Sequence, residues 1–248
     1  MHHRQSPPKV QGQTQNLQTD FLLAPKSPAH VAQEAVLALK EANLHAKVMK
    51  SRIGIFGGTF DPVHNAHIQM AHCAMKEASL DKIIFLPNGN PPHKEQGEYA
   101  DGAHRFNMLK IAIDAEPRFE VSDYEIDGLR HYTYDTMKHF KALCPDSEVL
   151  FIIGADSLDY LHSWHRGGEL IKNNTFVVIN RHFRADYNFD ENIASVKALG
   201  GKVIVADMPC MDVSSTMIRK AIELGRTDLP IDSRVAEYIK SNKLYCKE

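Results

Sequence analysis

From about residue 52 onward, short apolar runs alternate with longer segments in which apolar residues recur at helical spacing. The apolar runs predict buried strands at 53–56, 82–86, 119–121, 149–153, 175–179 and 203–205. The intervening segments predict helices from the first glycine turn to about 79, and at 102–115, 133–143, 215–224 and 232–240. Strands bounded by helices are typical of βαβ units. We therefore predict an α/β fold with a doubly wound parallel sheet and C-terminal helices, with ligands bound at the carboxyl ends of the strands.

The first 49 residues have a different pattern from the rest of the chain. Residues 1–27 are rich in Gln, Pro and Thr and show almost no apolar periodicity, which favours disorder. Ser27-Pro28 is typical of a helix start, and apolar residues at helical spacing follow it, so we predict one helix over about 28–47. We predict two parts: a partly disordered extension, 1–49, and one domain, 50–248. An alternative is that translation starts at Met49.

Composition and charge exclude several classes of protein. The chain has 248 residues, of which 43% are hydrophobic, and 29 basic against 31 acidic side chains give a net charge of −2. Without a strong overall charge, the protein is not expected to bind nucleic acid or a membrane surface. The four cysteines form no CxxC pair, which argues against a zinc knuckle or a disulfide scaffold and favours the cytoplasm. The sequence leaves the oligomeric state open.

The end of the first predicted strand carries the segment GGTFDPVHNAH. Gly57 and Gly58 allow the backbone to turn sharply and approach a ligand, and free N–H groups at the next helix start favour an anion. His64 and His67 lie three residues apart and so share one helix face, where an imidazole near a phosphate gains from being protonated. The plain alternative is a tight strand-to-helix turn. A zinc site is disfavoured, because no third ligand is in register.

A second segment, VSSTMIRK, opens a later helix. Ser214 is a suitable N-cap, and the first-turn N–H groups beyond it have no helical partner. Arg219 lies four residues after Ser215, on the same face. Hydroxyls, free amides and a guanidinium together favour a triphosphate. The alternative is an ordinary capped helix with a solvated arginine.

A third, scattered group follows other strands or helix starts. A stiff loop from Asn88 ends in two donor or cationic side chains, His93 and Lys94, within the run PPHK. Gly154-Ala155-Asp156 follows a strongly buried strand. Trp164, the only tryptophan, lies among polar residues and is predicted to form a partly open aromatic platform.

These segments, in order, resemble bacterial nicotinate-nucleotide adenylyltransferases, which belong to the HxGH nucleotidyltransferase superfamily. The likeness is carried by GGTFDPVHNAH, PPHK, HYTYDT, IIGADSLDYLHSW and VSSTMIR, and it runs from about Lys50 to Tyr245. It implies a Rossmann-like nucleotidyltransferase fold and transfer of the adenylyl group of ATP to nicotinate mononucleotide. The products would be deamido-NAD and pyrophosphate, in NAD biosynthesis.

The resemblance also implies roles for individual residues. His64, His67 and Arg219 would be catalytic. ATP would be bound by Gly57, Gly58, Thr59, Phe60, His64, His67, Asp156, Ser215, Thr216 and Arg219. Nicotinate mononucleotide would be bound by Asn88, His93, Lys94, Tyr132, Thr133 and Trp164. Mg²⁺ would accompany ATP and be held mainly by phosphate oxygens, with few or no protein ligands.

One departure from the family pattern is Ala66, which stands where HxGH has glycine. We expect retained activity with a somewhat altered affinity for ATP, because the added methyl lies at the helix start. His165 is a second departure, an extra imidazole that either touches the substrate base or is merely solvated. Three alternatives remain: an acceptor such as nicotinamide mononucleotide or pantetheine phosphate, a nucleotide-binding regulator without catalysis, and a flavodoxin-like electron carrier.

Overall fold

The structure is a computed structural model that describes residues 33–34, 36–37, 50–89, 99–181 and 188–246. Residues 50–248 form one compact unit, and the fold described below belongs to it. Residues 33–34 and 36–37 are helical. The rest of the predicted helix over 28–47 lies outside the described residues, and the domain division stays a prediction.

Six parallel strands form a single sheet in the described part of the chain. They are β1 (Ser51–Gly58), β2 (Lys82–Pro87), β3 (Phe119–Val121), β4 (Ser147–Gly154), β5 (Thr175–Asn180) and β6 (Lys202–Asp207). Their order across the sheet is β3-β2-β1-β4-β5-β6. All six strands were predicted from the apolar runs, and the parallel, doubly wound arrangement is confirmed.

Seven α-helices flank this sheet among the described residues of the compact unit. They are α1 (Asn65–Glu77), α2 (Gly102–Ile113), α3 (Thr133–Leu143), α4 (Gly167–Asn173), α5 (Phe189–Ala198), α6 (Ser215–Glu223) and α7 (Ser233–Ser241). Two 3₁₀ turns, Ala155–Asp159 and Leu161–Ser163, follow β4. No helix in the described ranges is long and apolar enough to cross a bilayer.

Helices α4 and α5 were not predicted from the sequence. Helix α4 has only seven residues and begins with Gly167 and Gly168, and glycine is a poor helix former. Helix α5 has ten residues, of which only Ile193 and Val196 are buried. Both helices therefore give a weak periodic signal and form because they pack on the sheet.

Alternate residues of the central strands supply two hydrophobic cores, one on each face of the sheet. Phe56 of β1 packs in the core covered by α1, α2, α6 and α7. Its neighbour Ile55 packs in the core covered by α3, α4 and α5. Successive side chains of a strand point to opposite faces, so a strand covered on both sides is apolar throughout.

The strand order places a topological switch between β1 and β4. These strands are adjacent, with Phe56 paired to Ile152, yet α1 and α4, which follow them, cover opposite faces. The two connections therefore diverge and leave a crevice beyond the carboxyl ends of the strands, where ligands bind in sheets of this type.

Candidate active site

The first part of the site is a pair of imidazoles at the start of α1. His64 occupies the N-cap position with an extended backbone, and His67 lies in the first turn. Their rings stack with centroids 3.7 Å apart and planes inclined by 20°. The His64 backbone N–H donates to Nδ1 of His67 over 3.3 Å. A neutral His67 therefore carries its proton on Nε2, where it can serve as a donor.

Burial keeps both imidazoles neutral in the free protein. It lowers the pKa of His64 from 6.5 to about 4, with a further contribution from the positive charge of Arg181. Burial also holds the pKa of His67 well below its usual value, helped by His64 and Arg181. The charge expected from the sequence is therefore absent without a ligand. An anion between these groups would favour the protonated forms.

The loop that connects β1 to α1 buries Phe60 rather than presenting it. Phe60 adopts a left-handed backbone, with φ of 49°, and its ring contacts His67 edge to face at 4.9 Å. A Cβ on Gly58 would lie 2.9 Å from the Phe60 ring, so glycine is needed there. Phe60 can therefore offer a ligand only its backbone, while its ring supports His67.

The second part of the site is the start of α6. Ser214 is the N-cap, and its hydroxyl accepts from the Met217 N–H at 3.2 Å, as predicted. The Ser215 hydroxyl donates to the carbonyl of Pro62 at 2.9 Å. Nη1 of Arg219 donates to the carbonyl of Asp61 at 2.7 Å. These two bonds fasten the start of α6 to the loop before α1.

The side chains of Arg219 and Thr216 lie close together at the start of α6. Nη2 of Arg219 lies 3.4 Å from the Thr216 hydroxyl, and Nη1 lies 3.3 Å from Oδ2 of Asp61. The Arg219 side chain remains 20% exposed, so part of the guanidinium is open to a ligand. The structure thus brings the imidazole pair and the guanidinium to one edge of the sheet.

A third part of the site lies beyond β2 and β4. The Asn88 N–H donates to the carbonyl of Gly58 at 3.0 Å, and the buried Oδ1 of Asn88 has no hydrogen-bond partner among the residues that the structure describes. A buried polar atom without a partner is costly, so this oxygen is available to a ligand donor. His93 and Lys94 lie outside the described residues.

Aromatic side chains line the far side of this third part. Tyr132, the N-cap of α3, stacks on His165 at 4.2 Å, and Thr133 is the first residue of that helix. Trp164 is half-buried, with its ring edge to face on Phe151 at 6.3 Å. Residues from the α3 start and from the segment after β4 therefore meet, and Trp164 remains partly open.

An ion pair connects the ends of β4 and β5. Nη2 of Arg181 lies 3.7 Å from Oδ1 of Asp156, and the charge of Arg181 reaches both imidazoles. Arg181 was not predicted as a site residue. Its position directly after a buried strand, at the ligand-binding edge, is the signal that could have identified it.

Comparisons with known proteins agree with this geometry. Residues 55–221 match the cytidylyltransferase-like family. The nicotinate-nucleotide adenylyltransferase of Bacillus subtilis is 40% identical over 200 residues, covering 78% of this chain and 98% of that protein. A probable nicotinate-nucleotide adenylyltransferase of Clostridium tetani is 40% identical over 198 residues, covering 77% and 97%. The chain belongs to the nicotinate-nucleotide adenylyltransferase family.

A solved structure extends the comparison to the fold. The Plasmodium falciparum nicotinic acid mononucleotide adenylyltransferase complexed with NaAD superposes with a TM-score of 0.65 and 25% identity, covering 79% of this chain and 97% of that one. The Rossmann-like nucleotidyltransferase fold is therefore confirmed. Membership of this enzyme family excludes the flavodoxin-like carrier and argues against a regulator without catalysis.

Three further polar residues of the site region were not predicted from the sequence, and two of them are fully buried. Asp61 and Arg105 are both 0% exposed. Arg105 donates to the carbonyls of Ala100, Thr59 and Gly89 at 2.8, 2.9 and 3.2 Å. The Tyr245 hydroxyl donates to Asp61. Asp61 lies inside GGTFDP, but the partners of these side chains are remote in sequence.

Proposed function

We propose that this enzyme transfers the adenylyl group of ATP to nicotinate mononucleotide, giving deamido-NAD and pyrophosphate in NAD biosynthesis. One observation carries the proposal: the stacked imidazoles and Arg219 share the edge of the sheet where the strands end, and the partly open Trp164 lies in the segment that follows β4. The first two parts of the site supply hydrogen-bond donors and the guanidinium of Arg219, and the third part supplies aromatic rings. These two sets of groups fit a triphosphate and a pyridine nucleotide.

The reaction requires alignment and charge neutralisation more than proton transfer. An oxygen of the mononucleotide phosphate attacks the α-phosphorus of ATP, and the bond from that phosphorus to the bridging oxygen breaks as pyrophosphate leaves. The attacking group is already an oxyanion, so no general base is needed. Positioned donors near the transferring phosphoryl group supply the rate enhancement.

The residues of the first two parts would bind ATP. The backbone N–H groups of the β1–α1 turn would hold phosphate, with Phe60 contributing only its backbone. His64 and His67 would contact the phosphates, and His67 would donate from Nε2 to the charge that develops in the transition state. Ser215, Thr216 and Arg219 would hold the triphosphate from the other side. Asp156 would face the nucleotide, paired with Arg181.

The third part would bind nicotinate mononucleotide. Trp164 would stack on the pyridine ring. Tyr132 and Thr133 would supply donors at the α3 start for the nicotinate carboxylate, where an anion is favoured. Asn88 would contribute its unpartnered amide oxygen. His93 and Lys94 would lie near the nucleotide phosphates.

Mg²⁺ would be bound mainly through ATP. No group of three or more His, Cys, Asp or Glu side chains suited to a metal ion occurs in the described ranges. Mg²⁺ retains water and is often bound through substrate phosphates, so phosphate oxygens would hold the ion with few or no protein ligands. It would neutralise charge on the triphosphate. We place the enzyme in the cytoplasm, where its four free cysteines stay reduced.

The test is pyrophosphate release on mixing ATP and Mg²⁺ with nicotinate mononucleotide or with nicotinamide mononucleotide. We expect a kcat/KM at least about tenfold higher for the acid, because one charged hydrogen bond is worth about 1.5–3 kcal/mol. Higher kcat/KM for the amide would refute the acceptor assignment. No release with any phosphate acceptor, including pantetheine phosphate, would refute catalysis.

A further inference from the structure

The C-terminal tail returns to the base of the active site. After α7 the backbone enters the left-handed region twice, at Lys243 (φ 52°) and Tyr245 (φ 62°). Residues with side chains seldom adopt this conformation, and it persists only where surrounding contacts require it. Here it brings the Tyr245 hydroxyl to Asp61, 184 residues earlier in the chain, where it donates to Oδ1 over 2.7 Å.

Asp61 is a buried carboxylate with partners from three parts of the chain. Its Oδ1 accepts from Tyr245 and also from the Ala100 N–H at 3.0 Å. Its Oδ2 makes no hydrogen bond to any described residue but lies 3.3 Å from Nη1 of Arg219. The same nitrogen donates to the Asp61 carbonyl at 2.7 Å. Asp61 therefore holds Arg219 through both its backbone and its charge.

A buried carboxylate is stable only while its donors remain in place. Among the described residues, Tyr245 is one of two hydrogen-bond donors to this carboxylate. Burial and the charge of Asp61 raise the pKa of Tyr245, so the hydroxyl keeps its proton and remains a donor. Loss of that donor would leave Oδ1 with the Ala100 N–H as its one donor from the described part of the chain. The carboxylate would then be free to reorient towards the guanidinium.

We infer that Tyr245 is a positioning residue for the ATP half of the site, acting through Asp61 to fix the guanidinium of Arg219. The inference rests on the proposed role of Arg219 in holding the triphosphate. It predicts that the tail affects phosphate binding without touching the nucleotide. If Tyr245 only stabilised the fold, loss of its hydroxyl would lower the stability of the protein and leave its phosphate affinity unchanged.

The first test removes one oxygen atom. Tyr245→Phe is expected to lower kcat/KM for ATP, and the affinity for pyrophosphate in the reverse reaction, by about tenfold, as for loss of a charge-assisted hydrogen bond. KM for nicotinate mononucleotide should change less than about twofold. Tyr238→Phe is the matched control, because its hydroxyl contacts His104 and Asn107 at 2.9 and 3.2 Å and not Asp61. Its ATP kinetics should be those of the wild type.

The second test is a double-mutant cycle with Arg219→Ala. If Tyr245 acts through Arg219, Tyr245→Phe should cost little further kcat/KM for ATP once the guanidinium is gone. An equal loss in both backgrounds would overturn the inference, as would a Tyr245→Phe enzyme with a lowered Tm and unchanged ATP kinetics. If Arg219→Ala itself leaves ATP kinetics unchanged, the proposed role of Arg219 fails as well. That outcome is distinct from failure of Tyr245 alone.

Discussion

Replacing Ala66 by glycine tests what the one departure within the histidine motif does. Ala66 is the second residue of α1 and is 0% exposed. Its methyl belongs to the core cluster that includes Val63 and Met70. A methyl that faced an open nucleotide cleft would contact solvent in the free protein. The burial therefore favours a packing role for this methyl over the altered ATP affinity expected from the sequence, and the two differ in their predicted effects.

The magnitude follows from two contributions to stability. Removing a buried methyl costs about 0.8 kcal/mol of transfer free energy, and glycine is up to about 1 kcal/mol less favourable than alanine in a helix. Together they predict that Ala66→Gly lowers the free energy of unfolding by about 1–2 kcal/mol. In a domain of this size, each kcal/mol lowers Tm by about 2–4 °C.

The assay combines urea and thermal unfolding with steady-state kinetics of the same protein. We expect the stability loss given above and a KM for ATP within about twofold of wild type. Ala71→Gly is the matched control, since Ala71 is also fully buried in α1 and lies one helical turn further from the histidines. A several-fold lower KM for ATP with unchanged Tm in Ala66→Gly would refute the reasoning and show that the methyl contacts the nucleotide.

Two further predictions concern charge at the imidazoles. The pKa of His64 is about 4 in the fold and about 6.5 unfolded. The unfolded chain therefore binds more protons between these values, and stability should fall by up to about 3 kcal/mol as pH drops from 6.5 to 4. Urea unfolding at several pH values in this range should show that the free energy of unfolding depends less on pH in His64→Asn than in the wild type. An equal pH dependence in the two proteins would contradict the lowered pKa of His64. Arg181→Gln should raise the pKa of His64 in NMR titrations and raise KM for ATP, whereas Arg118→Gln, at an exposed pair with Glu116, should do neither.

The sheet was predictable because its signal is local. A strand that is covered on both faces needs apolar side chains at successive positions, so a run of five or six apolar residues indicates it directly. Strands β4 and β5 are of this kind and are buried along most of their length. Neither α4 nor α5 could be predicted in this way. Helix α4 begins with two glycines, and its buried residues are held by contacts with the sheet. Where tertiary packing stabilises an element, local propensity carries little information.

The same distinction applies to the site. His64 and His67 were predictable from spacing within one turn, and Ser214 from its place before a helix. The protonation state of the imidazoles was not, because it depends on burial and on Arg181, more than 110 residues away. A motif identifies which side chains face each other locally. It does not give the dielectric environment or the remote charges that set a pKa.

The buried charged residues Asp61 and Arg105 explain how the loops after β1 and β2 and the start of α6 are held together. Arg105 joins the carbonyls of Thr59 and Gly89, which follow β1 and β2, and Asp61 joins Arg219 to the chain ahead of α2 through Ala100. Buried ionic groups of this kind contribute little net stability compared with apolar side chains. They do fix geometry, because each has several directional partners that cannot all be satisfied in another arrangement. In a reaction that depends on alignment of two phosphates, an error of 1 Å can cost about 100-fold in rate. Fixed geometry at Thr59, Gly89 and Arg219 is therefore a physical reason for this chain to bury an aspartate and an arginine where apolar residues would pack as well.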